Sequence, residues 1–206
     1  MQQLIQQIVD QPAIHARWLN TLSLMENVGA RKIKKCEHPI FVSEVILKHA
    51  SEEARHAYYL KRQIRKIARG VCPTYEQQYL LAPGSSYAYL NQLDIDVCRY
   101  LKRTFAYRHE QLKYIAYLLV TYAIEVRADE LYPVYQEVLR SRNSPVSVMN
   151  IIAEEKNHLE EMENQLKAFT PHWQEMCREV VALESRLHQA WVDELQKVLQ
   201  ALPVVA

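Results

Sequence analysis

Four stretches of this chain carry apolar residues at alternating three- and four-residue spacing, and each is interrupted near its middle by glutamate. Such spacing makes one face of an α-helix, so the interruptions fall on the side that turns toward a core. The first stripe reads Leu19, Leu22, Glu26, Gly29, Ile33. The second runs Val42, Ile46, His49, Glu53, His56, Leu60, Gln63, Ile67, widened by Val45 and Ile64. The third is Ile115, Leu118, Tyr122, Glu125, Asp129, Tyr132, and the fourth Val148, Ile151, Glu155, His158, Met162, Leu166, Phe169. Whatever fold forms must therefore accommodate Glu26, Glu53, His56, Glu125, Glu155 and His158 inside it.

Burying an unpaired ion costs several kcal/mol, roughly, so something must neutralise these groups. Lysine and arginine are absent from all four stripes. Two divalent cations balance four carboxylates, with neutral imidazoles contributing nothing to the charge. Glu-x-x-His also places both side chains on one helical face, where they can share a metal, and such binding couples to folding. Two Glu-x-x-His pairs alone are unremarkable in a chain with 8 histidines. Their setting is distinctive: Ser51-Glu52-Glu53-Ala54-Arg55-His56 echoes Ala153-Glu154-Glu155-Lys156-Asn157-His158. A core glutamate precedes each on the previous helix, within Leu24-Met25-Glu26 and Ala123-Ile124-Glu125, so one hairpin is used twice. On a different helical rotation the same residues would face water, and the chain would be a metal-free helical interaction module.

Punctuation divides the chain into long helices. With 3 glycines and 8 prolines in 206 residues it lacks the turn residues that an all-β fold needs. Glu37-His38-Pro39 separates a helix over about 12–35 from one over about 40–69, and Gly70, Pro73, Pro83 and Gly84-Ser85-Ser86 mark a long connection. Helical spacing returns from 87 to 140 with a break near His109. Ser144-Pro145 and Thr170-Pro171 each read as an N-cap followed by proline at the first helical position, opening helices to about 168 and 199. The expected organisation is one domain over 1–206, its metal-binding part at about 15–168 and an extra helix at about 171–199. The stretch after Gly70 is long enough to cross a bundle from end to end.

A formal charge of +1 gives no support to nucleic-acid binding, and the cluster Lys61, Arg62, Arg65, Lys66, Arg69 reads as a solvated face. Cys36, Cys72, Cys98 and Cys177 are too scattered for a disulfide framework, and the opening residues lack the pattern of a secretory signal. The longest uncharged apolar stretch, 114–124, is too short to cross a bilayer. A cytoplasmic protein without membrane contact is the expectation. His49 reads as a hydrogen-bonded core residue more readily than as a seventh ligand. His15, His38, His109, His172 and His188 read as surface or capping residues, and Glu184 with His188 as an exposed pair.

One Glu on each of two helices with Glu-x-x-His on each of the other two resembles the ferritin-like di-iron or di-manganese carboxylate superfamily. The resemblance covers about residues 15–168. It implies an all-α, ferritin-like four-helix bundle with one long crossover and additional helices. It also implies a ligand set of Glu26, Glu53, His56, Glu125, Glu155 and His158, with Glu53 and Glu155 bridging two ions. Glu26 with His56, and Glu125 with His158, complete one ion each. Glu52-Glu53-Ala54-Arg55-His56 is similar to the (Asp/Glu)-Glu-x-Arg-His motif of di-iron hydroxylases and oxidases, which makes Glu52, Glu154 and Asp129 candidate partners of the imidazoles, with Arg55 balancing their charge.

The resemblance implies an O2-activating di-iron oxidase or oxygenase acting on a small organic substrate. The cofactor is two iron ions, with manganese or a mixed pair also suited to oxygen and nitrogen donors. Because no flavin or nicotinamide motif is present, a reductase or small reductant must donate electrons. Ferroxidase or iron-handling activity, or peroxidase activity of the rubrerythrin type, is the alternative. Missing Cys-x-x-Cys spacing argues against the peroxidase, and charge and length argue against a storage cage. A homodimer is a mild expectation. Met25, Tyr122 and Met162 read as packing residues that could also wall a substrate pocket.

Overall fold

A computed structural model of the chain describes residues 1–201. Those residues form seven α-helices and no strand: α1 (Gln2–Val9), α2 (Pro12–Cys36), α3 (Glu44–Ile67), α4 (Pro83–Thr104), α5 (His109–Ser141), α6 (Met149–Phe169) and α7 (Trp173–Ala201). None is long and apolar enough to cross a membrane.

The buried apolar residues form two layers. One contains Trp18, Leu19, Leu22, Leu60, Leu131, Tyr135 and Ile151; the other contains Ile33, Ile46, Leu118, Leu119, Met162 and Leu166. Along α2 the chain passes from the first layer to the second with Glu26 between them, and α6 does the same around Glu155 and His158. Helices α3 and α5 run the other way, with Glu53, His56 and Glu125 at the crossing. All six groups thus occupy a polar layer between two apolar ones. Helix α2 packs along α3 and α5 along α6.

Since α3 ends in the first layer and α5 begins in the second, the connection must traverse the full height. Helix α4 makes most of that passage, from Tyr89 and Leu90 in the first layer to Val97 and Leu101 in the second. The expected linker 83–86 is therefore the first turn of α4, with proline near its N-terminus. Helix α7 packs against α4 and α5. The break near His109 falls at 105–108, where Ala106 has φ 55°.

Two expected starts are displaced by several residues, and α7 begins at Trp173, not at Pro171, with Thr170 ending α6. Helix α6 begins at Met149, not beside Ser144, because Val146 and Val148 are buried and Gln136 accepts from the Val148 N–H at 2.8 Å, turning the chain inward first. Ser144 Oγ accepts only from the Val146 N–H, at 3.3 Å, and closes a turn. Helix α3 begins at Glu44, not near residue 40, with Ser43 as its cap. Helix α1, unread in the sequence, inserts Leu4, Ile5, Ile8 and Val9 into the first layer.

Both layers are required if the polar layer is to be kept from water. Leu19→Ala and Leu118→Ala, each at a site with 0% exposure, should each destabilise the fold by about 2–5 kcal/mol. Chemical denaturation measures this, and a loss below about 1 kcal/mol at either position would contradict the two-layer description.

Candidate metal centre

Donor atoms of Glu26, Glu53, His56 and Glu155 lie within 4.8 Å of one another, as do those of Glu53, Glu125, Glu155 and His158. Glu53 and Glu155 belong to both groups, one from each hairpin. Glu53, His56, Glu125, Glu155 and His158 are buried, whereas Glu26 is half-buried. Each half of the repeat supplies three of the six groups, and the repeat's symmetry is what brings the two Glu-x-x-His turns face to face.

The imidazoles are held from behind, each by the opposite hairpin. His56 Nε2 donates to Glu154 at 2.7 Å, and His158 Nε2 donates to Glu52 at 2.8 Å. Arg55 clamps Glu154 with contacts of 2.6 and 2.8 Å and lies 3.7 Å from Glu52. Burial pushes the Glu154 carboxyl up, but hydrogen bonds from Arg55 and His56 outweigh it and hold it below its ordinary range. Glu154 is therefore an acceptor, which fixes the proton on His56 Nε2 and turns Nδ1 toward the cluster.

Nδ1 of His56 is buried, lies 3.0 Å from Glu155 Oε1 and makes no aligned hydrogen bond. Nδ1 of His158 lies 3.0 Å from Glu155 and 3.4 Å from Glu125. Two inward imidazole nitrogens and four carboxylates, with no cysteine, make an oxygen and nitrogen donor set of the kind that iron or manganese accepts. The −4 of the carboxylates matches two divalent cations. The residues fit such a pair, and the buried Nδ1 without a hydrogen bond is the specific sign.

Without cations, protons balance the cluster. Burial raises Glu26, and it raises Glu125 well above the carboxylate range. Burial together with the neighbouring charges of Glu26, Glu125 and Glu155 raises Glu53 well above it too. Glu155 goes the other way: burial pushes it up, but hydrogen bonds from Glu125 and His158, with the charge of the nearby His56, hold it below the usual range. Burial would lower His56, yet Glu155, Glu26 and Glu154 together raise it to about 9. His158 is raised as well, by Glu155 and Glu52 against its burial.

The sequence missed Tyr132 as part of this site. It is buried, and its hydroxyl donates to Glu26. Seven residues beyond Glu125 on the same stripe, it was legible as a phenol that needs a partner when buried. Asp129, a candidate imidazole partner, is instead exposed, with no hydrogen bond or ion pair among the described residues. The crossed pairing to Glu52 and Glu154 leaves nothing for it to hold. His49 lies outside both four-residue groups: buried, it bonds Glu161 through Nε2 at 3.0 Å and faces the Tyr117 hydroxyl at 3.4 Å through Nδ1.

Expectations for the remaining histidines need correction at two places. His15 is buried, with Nε2 2.6 Å from the Tyr135 hydroxyl. Glu184 and His188 are buried as well: Glu184 accepts from Tyr89 and Arg127, and His188 packs between Tyr89 and Trp191. The apolar contributions of α1, α4 and α7 enclose these groups. His38 does cap a turn, its Nδ1 accepting from the N–H groups of Ile40 and Phe41. Arg62, Arg65, Lys66 and Arg69 are exposed, and the four cysteines are unpaired among the described residues.

Opposite the imidazoles, a cavity of about 460 Å³ reaches Glu26, Glu53, Glu125 and Tyr132. Gly29 stands at this junction, where a Cβ would meet Glu53 Oε2 at 3.4 Å. Met25 lines the cavity, whereas Tyr122 and Met162 pack in the second apolar layer. No family model, curated protein or solved structure matches this chain.

Two measurements follow from this arrangement. Because His56 is raised from 6.5 to about 9, its contribution to metal-free stability is complete below about pH 6.5 and lost as pH rises through 9. The melting temperature of metal-free protein should therefore fall across that window, while divalent metal, which displaces the protons, should bind more tightly as pH rises. A melting temperature that climbs across the window would contradict this assignment. Second, Glu154→Gln, at a partly exposed position, should weaken metal affinity roughly 10–100-fold, with folding retained. Unchanged affinity in a calorimetric titration would contradict the role given to Glu154.

Proposed function

We propose that this chain is a ferritin-like di-iron carboxylate protein that uses O2 to oxidise or hydroxylate an organic substrate. The observation that carries the reading is the apolar cavity ending on three of the four carboxylates. A centre serving only structure has no use for such an approach. Two bound ferrous ions supply the electrons with which O2 is activated. Glu53 and Glu155, which belong to both groups, would contribute to holding both ions, with Glu26 and His56 completing one set and Glu125 and His158 the other.

The protein's own groups divide the remaining work. Glu52 and Glu154 hold the imidazoles in the tautomer that presents Nδ1 inward. Tyr132 holds Glu26 by a hydrogen bond on the cavity side of the cluster. The walls are mostly apolar, and small organic molecules are bound by cavities of about 300–1,000 Å³. The up-down-down-up course of α2, α3, α5 and α6, with α4 as the crossover, supports the ferritin-like reading. Electrons for turnover come from a separate reductase or small reductant.

Anaerobic loading with Fe²⁺ should saturate at two irons per chain, and O2 should then produce a near-ultraviolet or visible absorption band. Glu53→Ala should abolish both. No iron uptake and no band would overturn the proposal. Continued oxidation of Fe²⁺ far beyond two per chain would make iron itself the substrate.

A further inference from the structure

The cavity has a second end, and its two ends differ in chemistry. Its lining follows α2 from Leu22 and Met25 past Glu26 and Gly29 to Lys35 and Cys36. Cys36 stands ten residues beyond Glu26 in sequence, about 15 Å at the helical rise. On α5 the lining runs from Tyr132 and Glu125 past Ile124 and Val120 to Lys113. The far end thus carries Lys32, Lys35 and Lys113 against one acid, Asp94. Lys32 is spent on Asp94 and on the Leu90 carbonyl. Lys35 and Lys113 have no ion-pair partner among the described residues; burial pushes the Cys36 thiol up, against the charge of the nearby Lys113.

An apolar slot with two uncompensated cations at one end and a cluster of carboxylates at the other selects for a molecule that is charged at one end only. That charge must be negative to suit the lysines, and must stay at their end, because the carboxylates repel an anion. An extended chain of single bonds advances about 1.2 Å per bond, as the polypeptide backbone does over its three bonds. The distance of about 15 Å therefore takes roughly a dozen carbons.

We propose that the substrate of this centre is an alkyl chain of roughly a dozen carbons ending in a single carboxylate, a medium-chain fatty acid. Its charged end lies at Lys35 and Lys113, and its terminal carbons lie beside Glu26, Glu53 and Glu125. This assignment rests on the oxidase reading, but binding can be measured without it. Ile33, Leu93, Val120 and Ile124 supply the apolar contact along the way.

Dodecanoate, titrated into metal-free and into Fe²⁺-loaded anaerobic protein by calorimetry, should bind saturably at one per chain. Dodecyltrimethylammonium, with the same chain and the opposite charge, should bind at least tenfold more weakly. The double variant Lys35→Glu, Lys113→Glu, altered at an exposed and a half-buried position, should lose at least tenfold in dodecanoate affinity. Val120→Phe, which fills the slot, should lose as much while leaving the charged end intact. Circular dichroism and thermal unfolding check that both variants fold. Absence of saturable dodecanoate binding, or equal affinity for the two amphiphiles, would overturn the proposal. Iron uptake without dodecanoate binding sinks the fatty acid and spares the centre; dodecanoate binding without iron uptake sinks the oxidase and leaves a fatty-acid slot.

Discussion

The structure depends on four carboxylates and two imidazoles shut into a layer between two apolar ones. Desolvating each unpaired ion costs several kcal/mol, roughly, a large fraction of the total stability of a domain of this size. The layers above and below cannot move apart to admit water without giving up the burial of residues such as Leu19, Leu60, Leu118 and Leu119. Charge neutralisation has to happen inside the layer. In the metal-free protein the means is protons: neighbouring carboxylates raise His56 and His158, and burial raises Glu53 and Glu125. Two divalent cations would accomplish it through donors that include His56 Nδ1, which is buried without a hydrogen bond.

The centre has two unlike sides. Behind the imidazoles, Glu52, Glu154 and Arg55 form a partly exposed polar lattice that crosses between the hairpins. On the other side the carboxylates of Glu26, Glu53 and Glu125 border an apolar cavity, with Tyr132 holding Glu26. The first side fixes the orientation of the imidazoles; the second opens the carboxylates to the cavity. This asymmetry favours chemistry on a guest molecule over a purely structural role for the centre.

Much of this was legible because periodicity and burial coincide in the four central helices. Glu26, Glu53, Glu125 and Glu155 fall on stripes whose other members, such as Leu22, Leu60, Leu118 and Met162, are core residues; the spacing placed Glu53, Glu125 and Glu155 in the interior correctly, and Glu26 is half-buried beside them. Most of what escaped lies outside those stripes. Helix α1 is short, and its four apolar residues do not form a long periodic run. Glu184, His188 and His15 look like surface residues on their own helices, and only the packing of α4 and α7 against the hairpins buries them. Asp129 shares a turn with Glu125 yet faces water, while Tyr132, farther along the same stripe, reaches the cluster through Glu26. The cavity and its lysines could not be read at all, since they are a property of how α2, α4 and α5 diverge.

The central claim is that cations occupy the polar layer, and anomalous diffraction from crystals grown with Fe²⁺ under anaerobic conditions tests it most directly. Two anomalous peaks are expected, one among Glu26, Glu53, His56 and Glu155 and the other among Glu53, Glu125, Glu155 and His158. A fully metal-supplemented crystal with no peak among these six residues, or with iron bound only at the surface, would contradict the account.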